Sequence, residues 1–112
     1  MVWRRDQIGF RLREEFCAGD IVTLKVLTPA GTVVMMGEPE DVGRMLVVRR
    51  VHIHSEPLHR LGMANLGVIA QALMQRYGYD EVVIAGARRE SGLRAGQFPR
   101  EIRYRRRPEP AA

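Results

Sequence analysis

A chain of 112 residues, 46% of them apolar and 28% charged, suits one folded domain with a modest core and is short for a large two-layer enzyme. No apolar run approaches the ~20 residues that cross a bilayer, no apolar stretch follows Met1–Arg5 as it would in a secretion signal, and Cys17 has no internal disulfide partner. These exclusions lead to the expectation of a cytosolic site of action without membrane association, in the producing cell or in a target cell into which the chain is delivered.

The formal charge of +5 is unevenly placed. Residues 1–87 carry ten Lys and Arg against ten Asp and Glu, whereas residues 88–107 carry eight Arg against Glu90 and Glu101. Such a concentrated cationic segment is the electrostatic footprint of a partner that bears phosphates, with nucleic acid foremost. The same arginines also suit a solvated, solubilising end.

In chain order, residues 1–16 read as an irregular lead-in with some strand pairing. Ile8, Phe10 and Leu12 alternate with Gly9, Arg11 and Arg13, although Ile8, Leu12 and Phe16 also fit a helical spacing behind Asp6. From Asp20 the alternation is clear. Val22, Leu24 and Val26 are interleaved with Thr23 and Lys25, Thr28–Gly31 is a turn, and Thr32–Met36 runs back, which makes a β-hairpin. Gly37–Asp41 reads as an acidic turn. The third strand, about Arg44–His54, places Met45, Val47, Val51 and Ile53 on one face with Arg49 interrupting. Leu46, Val48, Arg50, His52 and His54 fall on the other face, which therefore changes from apolar to basic along its length.

Leu66, Ile69, Leu73 and Tyr77 form a helical stripe that Gly78 closes. Two starts are open for this helix: a Ser55 cap ahead of a helix that includes Gly62, or an Asn65 cap on a shorter one. Glu81–Gly86 is apolar on both faces, as in a central, covered strand. Arg88–Pro99 is a basic, glycine-containing loop, and Ile102 and Tyr104 alternate within a short edge strand. The expected architecture is α+β: a mostly antiparallel sheet of about five strands, one βαβ crossover and one main helix. A single domain spans residues 1–107, and residues 108–112 form a flexible tail.

Strand, helix and strand within about forty residues imply two parallel strands joined by a right-handed crossover. Their carboxyl ends, His52–Glu56 and Gly86–Arg89, then share one sheet edge with the helix N-terminus, where open α/β sheets bind ligands and where backbone N–H groups favour anions. His52 and His54 are placed to act as acid and base on a phosphodiester, with Arg88 stabilising the anionic transition state. Arg50, Arg60, Gly62, Ala64, Arg89, Ser91 and Arg94 are the candidate phosphate- or ligand-binding residues. A His-x-His pair joined by His59 or Glu56 could instead bind metal, and two strand histidines without chemistry are a third option. No metal is assigned, and Cys17 is not expected to act as a nucleophile.

His59-Arg60-Leu61-Gly62-Met63-Ala64 follows the pattern Gln/Arg-x-x-Gly-x-Gly/Ala with His in first place, and residues 45–85 resemble the acyl-CoA-binding core of GNAT acetyltransferases. The resemblance implies acyl-CoA as cofactor, its pyrophosphate held by the backbone amides of Gly62 to Ala64. The stretch Gly86–Pro99 is similar to the ending of small C-terminal domains of bacterial polymorphic toxins, where a strand is followed by a Gly-x-Arg-x-x-Ser/Thr-Gly-x-x-x-Gly loop and a last strand. That resemblance implies an effector domain, often acting on nucleic acid. The leading expectation is a small basic phosphate-site domain of nuclease type, with a homodimer or a cognate inhibitor protein as possible protein partners. A GNAT-like acyl-CoA binder or acetyltransferase and a non-enzymatic assembly module are the alternatives.

Overall fold

In the computed structural model the described residues are 2–12, 20–55, 62–85, 88–89 and 101–108, with Ser55, Arg88 and Arg89 described by their backbone. Among them lie strands β1 (Gly9–Leu12), β2 (Val22–Thr28), β3 (Gly31–Val42) and β4 (Met45–Ser55), then helix α1 (Gly62–Tyr77), then β5 (Glu81–Ala85), β6 (Arg88–Arg89) and β7 (Glu101–Arg105). The sheet order is β1-β2-β3-β4-β5-β7, with the two-residue β6 beside β4. The fold is therefore α+β with one main helix and a mixed, mostly antiparallel sheet. β4 and β5 are parallel, the other long neighbours antiparallel.

The sheet is wider than the five strands expected. The lead-in contributes a true strand, because Phe10 and Leu12 pair with Val26 and Leu24 and extend the apolar layer by one strand. The expected acidic turn at Gly37–Asp41 is also strand: β3 runs on to Val42, opposite Met45. β2 pairs with β3 only as far as Gly37, so Pro39, which has no N–H to donate, sits where one side of β3 has no β2 beside it.

The main correction concerns the two faces of β4. Its pairing with β3 slips between Met36↔His52 and Glu38↔Arg49, so Arg50 and Val51 together oppose Gly37. This is a β-bulge, and Arg50 occupies it with φ +53°, in the left-handed region. Side-chain parity reverses across the bulge. Leu46 before it and Val51 and Ile53 after it all join one buried layer, with Val48 packed against them, and His52 and His54 are exposed on the reverse face. Gly37 makes room for the slip: a Cβ there would lie 2.7 Å from Val48 Cγ1 and 3.3 Å from Val51 Cγ2.

Helix α1 covers that layer. Leu66, Ile69, Ala70 and Met74 are buried, whereas Tyr77, expected on the stripe, is 41% exposed. Full burial of each large apolar side chain contributes about 1.5–3 kcal/mol. The buried stripe is broad because the helix is also flanked by the N-terminal segment and by β7. Asn65, inside the helix rather than at its cap, accepts a hydrogen bond from Trp3 N–H at 2.9 Å. Gln71 Nε2 donates to Arg105 O at 2.7 Å, and Gln71 Oε1 accepts from Arg107 N–H at 2.9 Å. The buried amides thus tie both flanking segments to the helix. Gly78, at φ +81°, ends the helix by donating to Met74 O, as does Tyr79 N–H.

Candidate phosphate-binding face

The registers decide which side chains share the face opposite α1. One row across the strands reads Arg11, Lys25, Val34 and His54, on β1, β2, β3 and β4. The next reads Thr23, Met36 and His52, and β6 adds the backbone of Arg88 beside His52. With strands ~4.8 Å apart, Lys25 lies roughly 10 Å from His54 across the sheet, and His52 and His54 are ~6–7 Å apart along β4. Among the described residues, no carboxylate occupies these two rows.

The other end of the same face differs. Arg49 Nη1 lies 3.0 Å from Glu40 Oε1, Arg50 Nη1 3.6 Å from Glu38 Oε1, and Arg103 Nη1 2.6 Å from Glu81 Oε1. The hydrogen bond and charge of Glu81 raise the Arg103 pKa. Arg50 is therefore not in line with the two histidines as expected. The bulge turns it to the carboxylate end, where Glu38 engages it.

At the hairpin end, Arg44 Nε and Nη2 donate to Asp80 Oδ2 and Oδ1 at 2.6 and 3.2 Å. The Arg44 guanidinium holds the Asp80 carboxyl below its ordinary value, chiefly through these hydrogen bonds. Asp80 N–H also donates to Arg44 O at 2.8 Å, so the β3–β4 turn and the start of β5 are fastened together.

The parallel β4–α1–β5 unit has the predicted sense. Pairing with β4 stops at Arg49↔Ala85 and resumes at His52↔Arg88 with an unchanged offset, so β5 and β6 follow one path along β4. The strand ends and the helix N-terminus do lie at one edge, but the sheet divides them. Gly62 and Ala64 open a helix packed on the Val51 and Ile53 side, while His52 and His54 are exposed on the other. One crevice containing all three features was the expectation; alternation along the end of β4 instead leaves the histidines and the helix N-terminus on opposite faces of the sheet.

Arg60, Ser91 and Arg94 lie outside the described residues, as do Glu56, His59, Cys17 and residues 109–112. Arg89 is described by its backbone, paired with Ile53. Arg11 and Lys25 join the histidine face although neither was among the sequence candidates. Their alternation with Phe10, Leu24 and Val26 placed them on a polar face, but only the pairing shows that this face is continuous with His54.

Among the described residues, no group of three His, Cys, Asp or Glu side chains is arranged to hold a metal ion, and no helix is long and apolar enough to cross a membrane. Compared with known proteins, the chain matches no protein-family model and none of the curated sequences.

Proposed function

We propose that the face carrying Arg11, Lys25, His52 and His54 binds the backbone of a nucleic acid, and that the chain is a small nuclease of effector type. The observation behind this reading is the cross-strand row Arg11–Lys25–Val34–His54, next to His52 with the backbone of Arg88 alongside. Arg11 and Lys25 on adjacent strands, with His54 two strands beyond Lys25 across Val34, spread basic groups along a line as a phosphate chain does, and electrostatic attraction supplies most sequence-independent affinity. Two imidazoles ~6–7 Å apart can flank one phosphodiester. One takes the proton of the attacking hydroxyl or water while the other delivers a proton to the leaving oxygen. Arg11, Lys25 and Arg88 offset the charge that grows on the phosphoryl oxygens. Such an enzyme works in a cytosol, its own or that of a target cell, and a toxin of this kind is held in check by a cognate inhibitor.

The test is incubation with RNA and DNA, beside His52→Ala and His54→Ala variants whose melting temperatures and circular dichroism match the parent. Cleavage lost in both variants supports the reading; cleavage unchanged in both removes the histidines from the mechanism. Binding should weaken steeply with salt, and Lys25→Ala should flatten the slope by about one phosphate contact, ~0.7 for a single strand. A flat salt response sinks the nucleic-acid reading.

A second reading is favoured by the parallel β4–α1–β5 unit, with α1 beginning at Gly62. There the amides of Gly62 to Ala64 hold the pyrophosphate of an acyl-CoA, as in a GNAT-like binder or acetyltransferase. A melting temperature raised by acyl-CoA but not by oligonucleotide selects it, and the His52→Ala variant should leave that shift intact.

A further inference from the structure

The reverse face of the sheet holds a feature that neither reading uses. A helix about 10 Å wide is narrower than the sheet of six neighbouring strands ~4.8 Å apart, so α1 leaves part of the apolar layer beside it. The result is a half-open cavity of about 320 Å³ between α1 and the sheet. Its walls are carbon: Leu24, Met35, Leu46, Val82, Ile69 and Leu73 are among them. An apolar cavity of ~150 Å³ already holds a benzene-sized molecule and stays dry, and ligand pockets begin at about 300 Å³ with few polar groups.

Polarity is concentrated in the pair Asp41 and Tyr79, which also line the cavity. Tyr79 OH donates to Asp41 Oδ1. Tyr79 directly follows the end of α1, so the negative end of the helix dipole lies near the carboxylate. The one cation on that last turn, Arg76, lies over the Tyr77 ring at 5.4 Å, and Arg44 is engaged by Asp80. A carbon-lined cavity with a carboxylate and a helix C-terminus at one end is complementary to an apolar body with a positive head.

We propose that this cavity binds a lipophilic cation, an alkylammonium whose chain lies between α1 and the sheet and whose head is held by Asp41. The site is on the opposite face from His52 and His54, so it stands whether or not the nucleic-acid reading does.

The test is calorimetric titration of the full chain with decylammonium, decanol and decanoate, each below its micelle concentration. Decylammonium should bind at a single site, about fivefold more tightly than decanol, with decanoate weakest. Asp41→Asn should erase the preference for decylammonium while leaving decanol unchanged. Ala70→Phe, which fills the cavity, should abolish binding of all three; if it does not fold, the half-buried Leu73→Trp replaces it. Equal binding of the three probes overturns the proposal, as do preference for decanoate, binding that persists in the filled cavity, and absence of binding. Oligonucleotide binding should be the same in the parent and in Asp41→Asn, which separates this site from the histidine face.

Discussion

The two halves of β4, on either side of Arg50, present different side chains on the same sheet face: acid–base pairs upstream and a basic row downstream. Upstream, Arg49 is matched by Glu40 and the neighbouring Arg103 by Glu81. Downstream, His52 and His54 face Met36 and Val34, with Thr23 and Lys25 one strand further on. A compensated half fastens strands to one another and presents little net attraction to a distant anion. The downstream half gathers basic side chains on two adjacent rows, and basic groups placed together attract an anion at a distance. The bulge separates the two, and it does so while the buried layer beneath continues without a break.

That continuity is the first thing to break. Leu46→Ala upstream and Ile53→Ala downstream should each cost about 2–5 kcal/mol in denaturant unfolding, because both truncate the same core. A loss under about 0.5 kcal/mol for Ile53→Ala would place it on the open face and dissolve the bulge. Gly37→Ala comes next, at about 1–3 kcal/mol, since its Cβ would push against Val48 and Val51. An unaffected midpoint would mean that β3 and β4 are further apart there.

Arg50 itself sharpens the comparison with the opposite sign. Arg50→Gly should stabilise the fold by up to about 1 kcal/mol, because glycine adopts φ +53° without the steric cost that any other side chain meets. Arg50→Val should destabilise it, and equal melting temperatures for the two would rule out the left-handed backbone.

Tyr79 provides a pH test at the hairpin end. Its hydrogen bond to Asp41, aided by partial burial and the carboxylate charge, pushes the phenol up to about 12 from an ordinary 10.0. A value raised in the folded state means that the bond's contribution is complete below pH 10 and is lost as pH rises toward 12. The stability gap between the parent and Tyr79→Phe should therefore close over that interval. Tyr104, which burial also pushes up, is present in both chains and cancels. A gap that is constant with pH would show that the hydroxyl has no such partner.

The smallest effect belongs to the compensated half: Glu40→Gln should cost under about 1 kcal/mol and less still in high salt, as exposed ion pairs do. An equal or larger salt effect from Glu40→Gln than from Lys25→Ala on oligonucleotide binding would reverse the contrast between the two halves.

Much of the frame was legible in the residues alone. Alternation of apolar and polar side chains marked β2, the start of β3, β4 and β7. The stripe from Leu66 to Leu73 marked the helix and Gly78 its end, because these signals arise within a few residues of chain. The βαβ sense followed from connection length. The bulge had no local sign: Met45–Val48 are apolar at even and odd positions alike, so an unbroken odd face through Val51 and Ile53 fits the residues equally well. Only the tertiary structure decides that Arg50 takes the extra position, since the choice depends on Gly37 of β3 leaving space for Val48 and Val51 together. The same holds for the cationic row. Arg11, Lys25 and His54 are far apart in the chain, and strand register, set by burial of the opposite face, brings them into line.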